Sequence, residues 1–137
     1  MPNAECAPAA GKTFAIIGVG GYIAPRHMEA IARNGGRLKA AFDPADSVGI
    51  IDRHAPQARF FTEFERFAEY IEKLKRQGEP VDYITVCSPN YLHKAHAGFV
   101  LRTGTEVICE KPLVLDPVDI DALAATERET KDRKSVV

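Results

Sequence analysis

Short apolar runs that do not alternate with polar residues, each followed by a stretch of helical period, constrain this chain more than any other feature. Thr13-Phe14-Ala15-Ile16-Ile17 is the first such run, and Pro25, Met28, Ile31 and Ala32 then mark a helix that Asn34-Gly35-Gly36 stops. A strand over about Leu38 to Phe42 follows, then a short helix near Val48 to Arg53 and a small strand at Arg59-Phe60-Phe61. Phe64, Phe67, Ala68, Ile71 and Leu74 keep one apolar face through a helix that Gly78 and Pro80 terminate. Asp82 to Cys87 reads as the next strand, about Leu92 to Arg102 as a helix, Glu106 to Cys109 as a strand and about Pro117 to Thr130 as the last helix. Strands that are apolar throughout, alternating with helices, imply an α/β fold whose parallel sheet has helices on both faces.

Bulk properties exclude more than they select. The 137 residues suffice for one domain with its own core, expected over residues 13–131 between an N-terminal arm at 1–12 and a tail at 132–137. A formal charge of −1 with scattered cations leaves no footprint for nucleic acid, and no apolar stretch approaches the roughly 20 residues of a membrane span. Cys6, Cys87 and Cys109 are odd in number and lack CxxC spacing, so no disulfide is expected and the cytoplasm is the natural setting. Neither nucleic acid nor membrane is an expected partner.

The first turn carries a ligand signal. Gly18, Gly20 and Gly21 lie between a strand and a helix, where small residues let the backbone approach a pyrophosphate and helix amides face it. Ile23 stands where the glycine pattern ordinarily has a third small residue. A tight turn without ligand accounts for the glycines equally well. Asp43 separates the two readings, since it ends the second strand about 25 residues after Gly18, close to the ~20 expected of an acid that binds the ribose of NAD. Its carboxylate would repel a 2′-phosphate, which favours NAD over NADP.

Two further loops share that edge of the sheet. Ser88-Pro89-Asn90-Tyr91-Leu92-His93 leaves the strand ending at Cys87, at the side where open α/β sheets bind ligands. His93 and His96 are spaced for one helix face, but nothing nearby completes a ligand set, so no metal is expected. Lys111 follows a strand and precedes Pro112, a position that would aim its ammonium into the cleft. Partial desolvation there would suit it to polarise a substrate hydroxyl during hydride transfer. An ion pair with Glu110 or a solvated loop lysine are the alternatives.

In this order and spacing the glycine turn, Asp43, Ser88-Pro89-Asn90-x-x-His93 and Glu110-Lys111-Pro112-Leu113 resemble the N-terminal domain of the Gfo/Idh/MocA sugar oxidoreductases over about Thr13 to Arg133. The resemblance implies a Rossmann doubly wound sheet and NAD as cofactor. Within the family, Gly21 to Met28, Asp46 to Asp52, Phe60 to Phe64 and Cys87 to His93 look like the dehydrogenases that oxidise UDP-N-acetylglucosaminuronic acid at C3 for bacterial surface polysaccharide. On that resemblance Gly21, Tyr22 and Ile23 would meet the pyrophosphate, Asp43 the adenosine ribose and Ser47 the adenine side. Ser88, Asn90, Leu92 and His93 would line the path to the nicotinamide, with Glu110 close by. Lys111 would be the catalytic lysine, with a sugar nucleotide as substrate. Family members are homo-oligomers and continue into a substrate domain that carries a catalytic histidine. That second domain is expected to be missing here, as in a fragment or frameshifted product, and the isolated chain to be inactive.

Overall fold

A computed structural model describes residues 11–46 and 48–136, without the side chains of Val48 and of residues 132–136. Ten elements alternate along the chain: β1 (Thr13–Ile17), α1 (Ala24–Arg33), β2 (Arg37–Phe42), α2 (Val48–His54), β3 (Arg59–Phe61), α3 (Phe64–Arg76), β4 (Tyr83–Val86), α4 (His93–Thr103), β5 (Glu106–Cys109) and α5 (Val118–Val136). The strands form one parallel sheet in the order β3-β2-β1-β4-β5. This is a Rossmann-like α/β fold.

Burial explains the apolar strands. Ala15, Ile17, Phe42, Ile84 and Val86 face one layer with Phe67, Ile71 and Leu74 of α3 and Val100 of α4. Phe14, Ile16 and Ala41 face the other with Met28 and Ile31 of α1 and Ile51 of α2. Removing Phe67, Ile71 and Leu74 from water stabilises the α3 packing by about 1.5–3 kcal/mol per side chain. The edge strand β5 differs, because Glu106 and Ile108 on one of its faces stay exposed.

Boundaries move by small steps from those the periodicity predicts. Asp82 and Cys87 flank β4 rather than belong to it, and a 3-10 turn at Asn90–Leu92 precedes α4. α5 continues past Thr130 through the charged segment to Val136. Asp116 Oδ1 accepts a hydrogen bond from the Val118 amide at 3.1 Å, and Asp119 and Asp121 lie in the first turn, where negative charge favours a helix start.

The sheet register sets the site. Ile17 pairs with Phe42 on one side and Val86 on the other, and Val86 pairs with Cys109, so four strands end level. The next residues, Gly18, Asp43, Cys87 and Glu110, form a rim tied by Gly18 N–H to Phe42 O (2.7 Å), Cys87 N–H to Ile17 O (2.7 Å) and Glu110 N–H to Val86 O (3.2 Å). The chain winds outward in opposite directions from β1 and β4, which makes the crevice between their carboxyl ends the topological switch point.

Gly18 is required at that crevice. Its φ is +91°, and a Cβ there would lie 2.5 Å from the Ser88 amide nitrogen. Gly18→Ala is expected to destabilise the chain by at least about 2 kcal/mol, through left-handed strain plus the clash with backbone. Gly49→Ala, in the first turn of α2 with open space around it, is expected to add up to about 0.5–1 kcal/mol. Urea denaturation of the two variants should move the midpoint in opposite directions.

Candidate active site

A cleft of about 390 Å³ opens at the switch point. One wall is the glycine turn and the start of α1, contributing Gly21, Tyr22 and Ile23. The other wall is the exit of β4, with Cys87, Ser88, Pro89 and Asn90, and Glu110 and Lys111 close the end beyond β5. A larger hollow of about 860 Å³ runs along the charged outer face of α3, and one of about 350 Å³ reaches the start of β2. Neither touches the carboxyl rim.

The glycine wall has an anion-binding character. Ile23 caps α1 without a side-chain hydrogen bond, and Pro25 in the first turn has no amide to satisfy. Among the described residues nothing accepts from the amides of Tyr22 and Ile23, so both N–H groups are left for an oxygen ligand at a helix N-terminus. Gly21 has a packing role as well, since a Cβ there would meet the Cys87 carbonyl oxygen at 2.7 Å. The side chain of Tyr22 stands 95% exposed.

Asp43 reaches the same turn from β2. Its Oδ2 accepts from the Gly20 amide and its Oδ1 from the Ala45 amide, each at 2.8 Å. Each oxygen keeps lone-pair capacity for a further donor. Ser47 lies outside the described residues. Leu92 is half-buried behind the loop and is absent from the cleft wall.

Three histidines organise the opposite side. His93 is 1% exposed, with Nδ1 at 2.6 Å from the Pro112 carbonyl oxygen and Nε2 at 2.8 Å from that of Ser88. Its ring therefore bridges the loop after β4 to the turn after β5; the residue lines the cleft, with both ring nitrogens engaged by backbone carbonyls. His96 Nδ1 lies 2.7 Å from Ser88 Oγ, while its ring stacks on Phe64 at 5.1 Å. Burial, and secondarily the neighbouring His93, push His96 below the usual imidazole range, so the ring that shares a hydrogen bond with the Ser88 hydroxyl is favoured in its neutral form. His27, to which the sequence reading assigned no role, meets Glu110 across the cleft end, with 2.6 Å between Nε2 and Oε1.

Lys111 lines the cleft, and among the described residues no carboxylate pairs with it. Glu110 is committed to His27 instead. The lysine is exposed, so the desolvation expected from its position is not supplied by these elements. The thiols are inert: burial, then Glu110 and Cys109, raise Cys87 to about 12, and burial, then Glu110, raise Cys109 to about 11. Both are free. Among the described residues no group of three or more His, Cys, Asp or Glu side chains is placed to hold a metal ion, and no helix is long and apolar enough to cross a membrane.

A family model described as an oxidoreductase family with an NAD-binding Rossmann fold matches residues 12–137. The chain belongs to the Gfo/Idh/MocA oxidoreductases. Glucose-6-phosphate 3-dehydrogenase of Bacillus subtilis is 30% identical over 131 residues, which is 91% of this chain and 32% of that protein. The oxidoreductase YgjR of Escherichia coli is 29% identical over 120 residues, covering 86% of the chain and 34% of its own length. Among solved structures, the WlbA (WbpB) dehydrogenase of Thermus thermophilus in complex with NAD and UDP-GlcNAcA superposes with a TM-score of 0.84 and 48% identity, over 88% of this chain and 39% of that one. The chain thus spans about a third of the length of these curated relatives. As a Gfo/Idh/MocA NAD-binding domain it has NAD as its cofactor, and the open amides, the cleft and Asp43 fit that ligand.

Raised thiol values have a stability consequence whose sign is fixed. Above the ordinary thiol value of 9.0 the unfolded chain releases these protons and the folded chain holds them, so stability present below pH 9 is lost as pH rises toward 11–12. Each buried thiol contributes at most about 1.4 kcal/mol per pH unit to that slope. Denaturant melts between pH 8 and 10.5 should show a shallower decline for Cys87→Ala than for the wild-type chain, whatever the difference in absolute stability.

Proposed function

We propose that this chain is the cofactor-binding half of an NAD-dependent dehydrogenase that oxidises the C3 hydroxyl of UDP-N-acetylglucosaminuronic acid, in the bacterial cytoplasm and for surface polysaccharide synthesis. The observation that carries the reading is the convergence of two unsatisfied helix amides and Lys111 on one cleft at the switch point of the sheet. The substrate reading draws on the 48% identity to a dehydrogenase crystallised with NAD and UDP-GlcNAcA.

In this reading the amides of Tyr22 and Ile23 bind the diphosphate, and Asp43 takes ribose hydroxyls with the lone pairs left beside its bonds to Gly20 and Ala45. A carboxylate at that position disfavours a 2′-phosphate. When bound, NAD supplies the hydride acceptor. Lys111 donates a hydrogen bond to the substrate hydroxyl oxygen and stabilises the negative charge that grows there as the proton leaves for a base outside this domain. Ser88, its hydroxyl held in place by His96, lines the same cleft.

Calorimetric titration of the 137-residue chain is expected to give NAD at least about tenfold tighter than NADP, roughly 1.4 kcal/mol. Asp43→Asn should narrow that ratio, and tighter NADP binding to the wild-type chain would refute the assignment. In a protein that also carries the substrate domain, Lys111→Ala should lower kcat about 10²- to 10³-fold while leaving the NAD Kd within about threefold. Undiminished turnover of the UDP-sugar acid in that variant removes Lys111 from the mechanism. No turnover by the wild-type two-domain protein, with NAD bound, would leave a cofactor-binding module.

A further inference from the structure

We propose that His27 is a positioning residue: by engaging the Glu110 carboxylate it keeps that group off the adjacent Lys111, leaving the lysine's charge uncompensated in the cleft. The inference rests on the reading of Lys111 as the group that meets the substrate hydroxyl.

Glu110 and Lys111 are consecutive, yet both line the same cleft, so a carboxylate sits within side-chain reach of the ammonium. Left to themselves the two would pair, and a lysine neutralised by its neighbour offers less to a developing alkoxide. His27 competes from another element. Its Nε2 meets Glu110 Oε1 at 2.6 Å, with the two side chains only 23% and 34% exposed. A carboxylate only accepts, so Nε2 carries the proton and donates, whatever the state of Nδ1. A short hydrogen bond to an ionised oxygen, partly sheltered from water, outweighs an exposed lysine–carboxylate pair, which solvent screens.

The rest of the fold holds His27 where this competition is won. α1 is fixed by the buried Ala24, Met28 and Ile31, and the helix so held delivers His27 to Glu110. Glu110 is fixed through its amide to Val86, and the turn after it through the Pro112 carbonyl on His93. The residues on both sides of Lys111 are therefore each met by a histidine, the Glu110 side chain by His27 of α1 and the Pro112 carbonyl by His93 of α4, while the lysine side chain is left to the cleft.

Competitive acetylation of the 137-residue chain with trace acetic anhydride, read by mass spectrometry at Lys111 relative to the exposed Lys12, tests this directly. His27→Ala is expected to slow labelling of Lys111 about threefold or more, because a carboxylate-paired ammonium gives up its proton less readily. His27→Gln, which keeps a donor for Glu110 and perturbs the fold least, should stay within about 1.5-fold of wild type. His27→Ala combined with Glu110→Gln should recover the wild-type rate. Unchanged labelling in His27→Ala overturns the proposal, and so does a decrease that the double variant fails to reverse, since loosening of the turn rather than the carboxylate would then be responsible. Saturating NAD should protect Lys111 in the wild-type chain; absence of that protection counts against the proposed function while the His27 comparison stands on its own.

Discussion

The level ending of four parallel strands is the constraint on which the rest of the structure depends. A parallel ladder fixes register along its whole length, and once Ile17, Phe42, Val86 and Cys109 share a row, the residues that follow them emerge together. Gly18, Asp43, Cys87 and Glu110 lie far apart in sequence and become neighbours through that row alone. A one-residue slip of β5 would turn Glu110 and Lys111 to opposite faces from those they occupy. The rim can be this tight only because Gly18 and Gly21 lack side chains where the turn rides over the Cys87–Ser88 backbone. Glycines that look like an invitation to a phosphate are first a packing requirement of two loops, and the ligand site is what that packing leaves open.

Polar groups at the rim are distributed so that most are engaged with protein and a few are not. Asp43 is bonded to two backbone amides, Ser88 to His96, His93 to two carbonyls and Glu110 to His27. Among the described residues no side-chain polar atom that is fully buried lacks a partner. Among the described residues the amides at the start of α1 and the Lys111 ammonium are left open, and these carry partial positive and positive charge. The surrounding thiols stay protonated, so they add no anion to offset it. Open donors at the cleft suit a ligand that brings its own negative charge on phosphates.

Much of this was legible in the sequence because parallel strands buried on both faces have a plain signature. Thr13 to Ile17, Arg59 to Phe61 and Glu106 to Cys109 have the same limits in the sequence and in the structure, and Phe67, Ile71 and Leu74 bury the face their spacing predicts. Boundaries went astray where local chemistry competes with period, as at Ser88-Pro89-Asn90, where a 3-10 turn intervenes before α4. The site was legible through its backbone markers, Gly18, Asp43 and Lys111, and not through its histidines. A histidine's role depends on which carbonyl or carboxylate its ring meets, and His27, His93 and His96 find their partners 83, 19 or 5, and 8 residues away. Sequence spacing holds no trace of the first of these contacts; His93 lines the cleft as expected, while its ring nitrogens are bonded to backbone carbonyls.

Lys111 shows where positioning ends and catalysis needs more. Its backbone is fixed on either side and its competing carboxylate is engaged by His27, so the geometry of the ammonium is prepared in this domain. Its exposure is not. A charge in water at a few ångströms is worth about 1 kcal/mol, against about 4 at an effective dielectric near a protein surface, so the same lysine gains its electrostatic leverage only when water is displaced. On the proposed function a bound dinucleotide would cover one side of the cleft, and whatever holds the sugar would cover the other. Preorganisation and water exclusion are thus contributed by different parts of the catalytic assembly, and the segment from Thr13 to Pro112 supplies the first.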